Sequence, residues 1–388
     1  MNMRTDRAGW RGVVALVRVW LLAAGVALAF AAPAQAAASA DQLQVPKGFK
    51  IELLTDAVPN ARAMALGRFS DGRGVLYVGS KNAGNVYAVE LDHGKARAVH
   101  KLASDVLGPI GIAYRDGALY VSAISKILRF DAIDDHLQAP PRPVTVVDDL
   151  PGPGTHDWKY IAFGPDGKLY VAVGSPCNVC VPDAAHGLIL RMKPDGSERE
   201  VVARGLRNSV GFDWSPRDHT LWLTDNGRDM LGDDIPSDEL NHVERVGANF
   251  GFPYCHQGDL PDPEFGVQHA CSEFVPPAAK LGAHVASLGM RFYDASQFPP
   301  AYRGGIFIAE HGSWNRSSKV GYRVMYLAVD EAGRVTRAEP FVQGFLRIGA
   351  LGHESVSGRP ADVLVLPDGS LLVSDDQGGA IYRVTYAP

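Results

Sequence analysis

One short phrase recurs six times along this chain: a tight turn, followed by a strand of small and aliphatic residues with an aromatic or large apolar residue at its centre. Turn sequences such as Pro-Asp-Gly and Arg-Asp-Gly precede most copies. The intervals between copies are 43, 50, 52, 85 and 65 residues, close to the ~40–50 expected for a four-stranded propeller blade, with two insertions. The six copies are Leu76-Tyr77-Val78, Leu119-Tyr120-Val121, Leu169-Tyr170-Val171, Leu221-Trp222-Leu223, Ile306-Phe307-Ile308 and Leu371-Leu372-Val373.

The repeat predicts an all-β protein with the architecture of a six-bladed β-propeller. A pair of β-sandwiches would use the same strands, but sandwiches do not generally repeat one hairpin phrase along the whole chain. A propeller grows by adding blades and therefore needs no second core, even in a chain of 388 residues. We expect residues 37–388 to form a single domain.

Residues 1–36 have the features of a secretory signal peptide. Four arginines give a basic start, Val13 to Ala31 is mostly apolar, and Ala34-Gln35-Ala36 is a small-x-small cleavage site. An uncleaved membrane anchor is the alternative, because the apolar stretch approaches spanning length, but Arg18 interrupts it. We therefore expect cleavage, a periplasmic or secreted protein, and no stable membrane insertion afterwards.

The charge balance excludes some partners. Without residues 1–36, Lys+Arg falls from 38 to 34 and Asp+Glu from 43 to 42, which leaves a net charge near −8. Nucleic acids and anionic membranes are bound by basic surfaces. We therefore expect neither as a partner.

The four cysteines are consistent with an oxidising compartment. Cys177 and Cys180 form a C-x-x-C pair after the third repeat, and Cys255 and Cys271 bracket an insertion without a strand pattern. We interpret them as two loop disulfides. Covalent haem attachment needs a His directly after C-x-x-C, where Val181 stands, and a zinc site needs two short-spaced pairs. A redox-active dithiol remains an alternative, although no helix N-terminus is predicted there to lower a thiol pKa.

Functional chemistry in a propeller is expected where loops from all blades meet at the axis. The loops richest in unusual polar residues are 154–158, 204–208, 224–239, 310–316 and 358–362. Together they supply imidazoles, guanidinium groups, carboxylates and a Trp, which suit a planar polyanionic ligand beside a hard metal ion. Taken singly, each residue also has a structural interpretation: His311 as a hydrogen-bonded loop histidine, Arg316 and Arg323 as solvated cations, Trp314 as a hydrophobic plug.

The order of these motifs resembles that of a known family, the soluble quinoprotein sugar dehydrogenases. These glucose and sorbosone dehydrogenases use pyrroloquinoline quinone (PQQ) and are six-bladed propellers. Residues 311–316 look more like the sorbosone and pyranose dehydrogenase branch, and the resemblance extends from about Val45 to Val384. The matching segments are His156 ahead of Pro165-Asp166-Gly167, Arg207-Asn208, Asp225-Asn226-Gly227 leading to Asp238-Glu239, and residues 247–253.

The resemblance implies an oxidoreductase that oxidises an aldose or a related, sorbosone-like sugar. His156 would be the general base that removes the substrate hydroxyl proton while a hydride moves from the same carbon to PQQ. An imidazole suits this role because its ordinary pKa lies near neutral pH. Arg207 would hydrogen-bond the quinone oxygen that gains charge, and Asn208 would orient the cofactor.

Calcium is the second cofactor that the resemblance implies. It would bind the quinone through the backbone carbonyls of Gly227 and Arg228 and act as a Lewis acid. A second, structural calcium would use Glu239 and the carbonyl of Phe250. Phe250 stands where the family has a tyrosine that contributes its backbone oxygen, so the change of ring should matter little.

The remaining implied contacts involve the rest of the cofactor and its partners. Arg62, Lys319 and Arg359 would pair with its carboxylates, and Trp314 would lie near the quinone ring or the sugar. The small-molecule partner would be a sugar. Electrons would pass to an acceptor such as a cytochrome or a membrane quinone.

Several positions depart from the glucose dehydrogenase pattern. Ser175 stands where an active-site Asp follows the third strand, which leaves Asp157 as the alternative carboxylate partner for His156. Ala361 replaces the second of two arginines that relatives carry just before an Asp. The preference of the glucose enzymes for their sugar therefore does not transfer to this chain.

Two other classes of function stay open. A calcium-dependent lactonase would use the same fold, but it requires side-chain carboxylates and amides that converge on the ion. A non-catalytic propeller would bind a protein or glycan on its flat face, because fold alone does not determine function.

Overall fold

The computed structural model describes residues 37–388, and the predicted signal peptide, residues 1–36, lies outside this range. The described residues contain 29 β-strands, five 3-10 helices and no α-helix. None of these helices has the length and apolar character needed to cross a bilayer. The 3-10 helices are Ala40–Gln42, Ile133–Asp135, Cys271–Glu273, Pro300–Tyr302 and Ala350–Gly352.

Six large sheets form the blades, which confirms the predicted all-β, six-bladed β-propeller. Blade 1 contains β2 (Ala61–Ser70), β3 (Arg73–Ser80), β4 (Val86–Asp92) and β5 (Lys95–Ala103). Blade 2 contains β6 (Ile112–Arg115), β7 (Ala118–Ala123), β8 (Lys126–Phe130) and β9 (Val144–Val147). Blade 3 contains β10 (Ile161–Phe163), β11 (Leu169–Val173), β12 (Leu188–Met192) and β13 (Glu200–Arg204), with the short β17 (Ala248–Asn249) added in parallel to β13.

The other three blades follow the same antiparallel order. Blade 4 contains β14 (Gly211–Trp214), β15 (Leu221–Asp225), β16 (Ser237–Val243) and β20 (Ala279–Ala283). Blade 5 contains β21 (Ser287–Tyr293), β22 (Gly305–Glu310), β23 (Arg323–Val329) and β24 (Val335–Val342). Blade 6 contains β27 (Pro360–Val365), β28 (Leu371–Asp375), β29 (Ala380–Tyr386) and β1 (Phe49–Thr55).

The recurring phrase forms the second strand of every blade, which is covered by a neighbouring blade on each face. Successive side chains of a strand point to opposite faces. In blade 1, Tyr77 therefore packs against blade 2, in a cluster with Leu119 and Val121. Its neighbours Leu76 and Val78 pack against blade 6. The alternation explains why each copy has a large central residue between aliphatic ones: both faces of the strand must fill a core.

The same direction of packing continues around the ring. Tyr120 packs against blade 3, Tyr170 against blade 4, Trp222 against blade 5 and Phe307 against blade 6. All of these side chains are buried. The hydrophobic core is therefore distributed between the blades instead of forming one central mass.

The ring is closed by pairing between the two ends of the chain. β1 pairs antiparallel with β29, with Phe49 opposite Tyr386 and Leu53 opposite Tyr382. Blade 6 thus takes three strands from the C-terminal part and one from the N-terminal part. Phe49 packs edge-on against the ring of Phe298 in blade 5, at 4.8 Å between centroids.

The two long intervals in the repeat contain insertions. Between blade 4 strands β16 and β20 lies the hairpin of β18 (Cys255–His256) and β19 (Leu260–Pro261), tied by the Cys255–Cys271 disulfide. Between blades 5 and 6 lies the hairpin of β25 (Leu346–Ile348) and β26 (Glu354–Val356). Cys177 and Cys180 form the other disulfide, so the structure contains both predicted bonds.

Candidate active site

A cavity of about 390 Å³ lies at the end of the ring where the first strand of each blade begins. Its wall comes mainly from loops that precede the first strands or follow the second strands of blades 1, 3, 4, 5 and 6. A groove of about 530 Å³ along blade 1 contains none of the predicted site residues. The predicted residues that line the 390 Å³ cavity are Arg62, His156, Arg207, Asn208, Gly227, Trp314 and Arg359.

The imidazole of His156, in the loop before β10, is held in one tautomer. Its Nδ1 lies 2.7 Å from the backbone carbonyl oxygen of Ser175. A carbonyl oxygen can only accept, so Nδ1 carries the proton and Nε2 keeps its lone pair. Burial, and after it the charge of Arg207, lower the pKa of His156 to about 4. The ring is therefore neutral at physiological pH and can take up a proton at Nε2.

A backbone group, not a carboxylate, orients this histidine. The carboxylate of Asp157, the alternative partner considered from the sequence, accepts a hydrogen bond from the N–H of Gly154 instead. The Ser175 backbone carbonyl is thus the acceptor for Nδ1–H, in place of the carboxylate partner considered from the sequence. Gly174 allows the close approach of the two loops, because a Cβ there would lie 2.5 Å from the Cβ of His156.

Arg207 and Asn208 precede the first strand of blade 4 and are both buried. Their backbone N–H groups donate to the two carboxylate oxygens of Asp225, at 2.9 and 2.8 Å. The guanidinium of Arg207 pairs with Asp229 at 2.8 Å. The side-chain oxygen of Asn208 is buried and has no hydrogen-bond partner among the described residues. A ligand with an N–H or O–H group would satisfy it.

Arg62 and His311 line another part of the wall and form a buried charged group with Asp376, which is not itself a wall residue. Asp376 lies 2.9 Å from Nη1 of Arg62 and 2.8 Å from Nε2 of His311. Burial acts to raise the pKa of Asp376, but His311 and Arg62 outweigh it and hold this pKa well below its usual range. Burial also lowers the pKa of His311 to about 4. His311 is therefore neutral at pH 7 and donates Nε2–H to the carboxylate.

The wall carries two further cations, Lys81 and Arg359, which have no carboxylate partner among residues 37–388. Nζ of Lys81 lies over the ring of Trp158, 4.4 Å from its centroid. Arg359 donates to the carbonyl oxygens of His311, at 3.0 Å, and Gly312. Within residues 37–388, neither Lys81 nor Arg359 forms an ion pair with a carboxylate, in contrast to Arg62 and Arg207. The cavity therefore favours an anionic ligand.

Trp314 and Lys319 have different positions relative to this cavity. Trp314 lies at its rim, with 67% of its surface exposed. The next residue, Asn315, donates to Asp229 at 2.7 Å and has a buried side-chain oxygen without a partner in the described part of the chain. Lys319 is not part of the wall, because its ammonium pairs with Glu354 at 2.9 Å. The structure does not bring Lys319 to the predicted cofactor carboxylates.

The four predicted metal ligands, Gly227, Arg228, Glu239 and Phe250, line a second small cavity of about 10 Å³. It borders the larger one, since Gly227 and Arg207 line both. This volume is roughly that of one water-sized sphere. The four residues were predicted to hold two separate calcium ions, whereas the structure brings them together around one space of the size of a single small ion.

The chemistry of this second cavity suits a hard cation. Burial, followed by the negative charge of Asp225, raises the pKa of Glu239 to about 8. Glu239 also accepts from the amide of Asn241 at 2.9 Å, and the buried oxygen of that amide has no partner among residues 37–388. The same residues contain no set of three His, Cys, Asp or Glu side chains arranged to bind a metal. A cation here would therefore depend on backbone oxygens as well as on Glu239. The guanidinium of Arg228 pairs with Asp262, so this residue offers only its carbonyl.

Several residues of the site had no functional role predicted from the sequence. Lys81 and Asp376 each directly follow the second strand of a blade, after Ser80 and Asp375. Asn226 and His311 occupy the same place in blades 4 and 5. The position immediately after each second strand was thus a signal available in the sequence. Other wall residues not assigned beforehand are Trp158, Asp229 and His284.

Comparison with known proteins places this geometry in context. The TrAA12-like family matches residues 43–387. An uncharacterized protein of Borreliella burgdorferi is 36% identical over 359 residues, which cover 89% of this chain and 91% of the relative.

Solved structures with the same fold are more distant in sequence. The PQQ domain of pyranose dehydrogenase from Coprinopsis cinerea has a TM-score of 0.75 at 18% identity, over 88% of this chain and 97% of that one. A Trichoderma reesei protein of Carbohydrate-Active Enzymes Family AA12 has a TM-score of 0.77 at 20% identity, over 91% and 99%. The PQQ-bound aldose sugar dehydrogenase from Streptomyces coelicolor has a TM-score of 0.63 at 19% identity, over 88% and 99%. The architecture and the resemblance predicted from the motifs are confirmed, and this chain belongs to the TrAA12-like family.

Proposed function

We propose that this protein oxidises a hydroxyl group of a sugar, with PQQ held in the 390 Å³ cavity and calcium in the small cavity beside it. The observation that carries the proposal is the wall of the larger cavity. It combines a histidine that keeps its Nε2 lone pair with four cationic side chains, two of which have no carboxylate partner among the described residues. The PQQ-containing structures that share the fold support the choice of cofactor.

The wall fits a flat molecule with several carboxylates, which is the chemical character of PQQ. Lys81 and Arg359 would supply positive charge that no carboxylate in the described part of the chain pairs with, and Arg62, paired with Asp376, would offer further N–H donors. The unpaired oxygens of Asn208 and Asn315 would accept from N–H or O–H groups of the cofactor or the sugar. Trp314 at the rim offers an exposed aromatic face, which suits a sugar ring.

The protein's own residues would manage the proton. Nε2 of His156 would take the hydroxyl proton of the sugar, and the Ser175 carbonyl would keep Nδ1–H oriented and stabilise the imidazolium that forms. Arg207, fixed by Asp229, would place positive charge where negative charge develops. When bound, the quinone and calcium supply a two-electron acceptor and a Lewis acid, respectively.

We further propose that the protein acts outside the cytoplasm, in the periplasm or after secretion. Its two disulfides are of the kind that persist in oxidising compartments. Electrons would leave through an acceptor such as a cytochrome or a quinone.

Reconstitution tests the proposal directly. PQQ binding to purified protein is measured by calorimetry with and without Ca²⁺, and dye reduction is followed with a panel of aldoses. We expect PQQ to bind in the micromolar range or tighter and at least one sugar to reduce the dye only when PQQ and Ca²⁺ are present. No PQQ binding at millimolar concentration would refute the proposal.

A variant separates the base from the binding site. His156→Ala should bind PQQ with little change and lose on the order of 100-fold or more in kcat, the contribution typical of a positioned general base. His353→Ala is the matched control, because His353 is exposed and does not line the cavity. Full activity of His156→Ala would exclude the assigned base. Metal-dependent opening of a lactone without PQQ would instead favour the hydrolase alternative.

A further inference from the structure

The loop closed by the Cys177–Cys180 disulfide, residues 177–180, lies against the guanidinium of Arg207. We call it the disulfide loop. The backbone carbonyl of Asn178 accepts from Nε of Arg207 at 2.8 Å, and its side-chain Oδ1 accepts from Nη2 at 2.8 Å. One residue of this loop therefore contacts two of the three guanidinium nitrogens.

Asn178 also holds the acidic partner of Arg207. Its Oδ1 accepts from the backbone N–H of Asp229 at 2.8 Å, and its Nδ2 donates to the Asp229 carbonyl at 3.2 Å. The amide of Asn178 thus pairs with both backbone groups of Asp229, while the carboxylate of Asp229 pairs with Arg207. Asn178 is the common partner of both members of the ion pair.

These contacts occupy most of the donors of Arg207. A guanidinium has five N–H groups. Nε–H goes to Asn178, the two N–H groups of Nη2 go to Asn178 and Asp229, and one of Nη1 goes to the carbonyl of Asn226 at 3.2 Å. Counting the hydrogen bonds within residues 37–388, one N–H of Nη1 is left for a ligand in the cavity.

The segment that leads into the disulfide loop contacts the other proposed catalytic residue. The carbonyl of Ser175 accepts from Nδ1 of His156 at 2.7 Å, and the N–H of Ser175 donates to the carbonyl of Arg207 at 2.7 Å. Ser175 is two residues before Cys177. One continuous segment, residues 175–180, therefore contacts both the imidazole of His156 and the guanidinium of Arg207.

We propose that Asn178 is a positioning residue, which sets the direction of the Arg207 guanidinium toward the cavity, and that the Cys177–Cys180 disulfide holds Asn178 in place for this role. The catalytic role of Arg207 in this inference rests on the proposed function, whereas the contacts between Asn178 and Arg207 do not. The disulfide loop is partly exposed and contains no regular strand, so the covalent bond is an important restraint beside the hydrogen bonds of Asn178. A small covalent ring limits the backbone conformations open to Asn178.

The proposal predicts a change at His156 that requires no cofactor. Arg207 is the charged group that acts on the His156 ring, while the flanking Asp157 carboxylate is engaged by Gly154. Asn178→Ala keeps the backbone carbonyl that accepts from Nε of Arg207, but removes the side-chain contacts to Nη2 and to the backbone of Asp229. We expect the less restrained guanidinium to move its charge away from the imidazole on average. The pKa of His156 should then rise by roughly half a unit or more, the size expected for a nearby unit charge that becomes screened.

The experiment compares four proteins: wild type, Asn178→Ala, Cys177→Ser/Cys180→Ser and Asn85→Ala. Asn85 is the matched control, because its amide is also partly buried and hydrogen-bonded, to Tyr87, but it does not line the cavity. NMR titration gives the His156 pKa in protein without PQQ, and calorimetry gives the Kd for PQQ. Asn178→Ala should raise the pKa of His156. It should also weaken PQQ binding about ten-fold or more, the loss typical of a hydrogen bond to a charged group, because the remaining N–H of Arg207 would no longer point at the ligand. The double Cys variant should change both in the same direction, and Asn85→Ala should change neither.

An unchanged His156 pKa and an unchanged Kd in folded Asn178→Ala would overturn the inference. If Asn178→Ala does not fold, the double Cys variant decides in its place, since it retains the Asn178 side chain. If wild-type protein binds no PQQ, the proposed function fails, and the NMR titration still decides whether Asn178 positions Arg207.

Discussion

The replacement Asp376→Asn tests the buried ion pair that Asp376 forms with Arg62, a residue of the cavity wall. Only 7% of the Asp376 side chain and 3% of the Arg62 side chain are exposed, and the two groups are 2.9 Å apart. The amide that replaces the carboxylate still accepts from one donor, Arg62 or His311, but leaves the other without its partner. It also leaves the guanidinium as an uncompensated buried charge, a situation that costs about 3–5 kcal/mol.

Because one hydrogen bond survives, we expect the lower end of this range, ~3 kcal/mol of unfolding free energy. Urea titration with linear extrapolation measures it. Asp92→Asn is the matched control, because Asp92 bonds Arg73 and Arg97 at the protein surface, where ion pairs contribute little.

The pH dependence of the difference provides a second check. The pKa of Asp376 is well below its usual range in the folded protein. A carboxylate of this kind stabilises the fold above its unfolded pKa, near ~4, and loses that effect as the pH falls further. The gap between wild type and Asp376→Asn should therefore be constant from about pH 5 to 8 and shrink below about pH 4. A cost under ~1 kcal/mol at pH 7, or one equal to that of Asp92→Asn, would refute the reasoning.

Three further predictions concern the core and the site. Phe307→Ala should cost ~3–5 kcal/mol in urea unfolding because Phe307 is fully buried between blades 5 and 6, whereas Leu53→Ala, with 43% exposure, should cost far less; equal costs would contradict the packing described. In PQQ-loaded protein, kcat/KM should stay level from pH 8 to about 5 and fall toward the His156 pKa of about 4, because burial keeps the base form at acidic pH; an acid limb near 6.5, the value of a free histidine, would argue against this base. Gly174→Ala should lower kcat about ten-fold or more, since the added Cβ would displace His156, while the control Gly349→Ala, whose Cβ would meet only ordinary contact, should be neutral; unchanged kcat would show that His156 tolerates the displacement.

The repeat predicted the fold because it encodes a physical requirement. A strand that is covered on both faces must carry apolar residues at successive positions, as in Leu76, Tyr77 and Val78, and each such strand requires a neighbour on either side. Six such strands imply a closed ring. Since the first strands all begin at one end, the loops that carry His156 and Arg207 were also predicted to meet, as they do in the structure.

The contacts that the sequence did not reveal depend on partners that residue types do not specify. Lys319 is of a residue type that binds carboxylates, but its ammonium forms an ion pair with Glu354. The acceptor for His156 is a backbone carbonyl, which any residue at position 175 would provide. Asn178 acquires its importance only from the conformation of the loop around it. The order of the motifs therefore located the site, whereas the hydrogen bonds within it depend on the folded conformation of the loops.

The pairing of β1 with β29 has a consequence for how the molecule is made. Phe49 pairs with Tyr386, so the sheet of blade 6 stays incomplete until nearly all of the polypeptide has left the ribosome. Contacts between such distant positions form slowly, because a long stretch must be ordered before they contribute. Until β1 pairs with it, β29 is an edge strand with unpaired backbone N–H and C=O groups. A chain shortened by even this one N-terminal strand should open at that seam and expose it to association with other molecules.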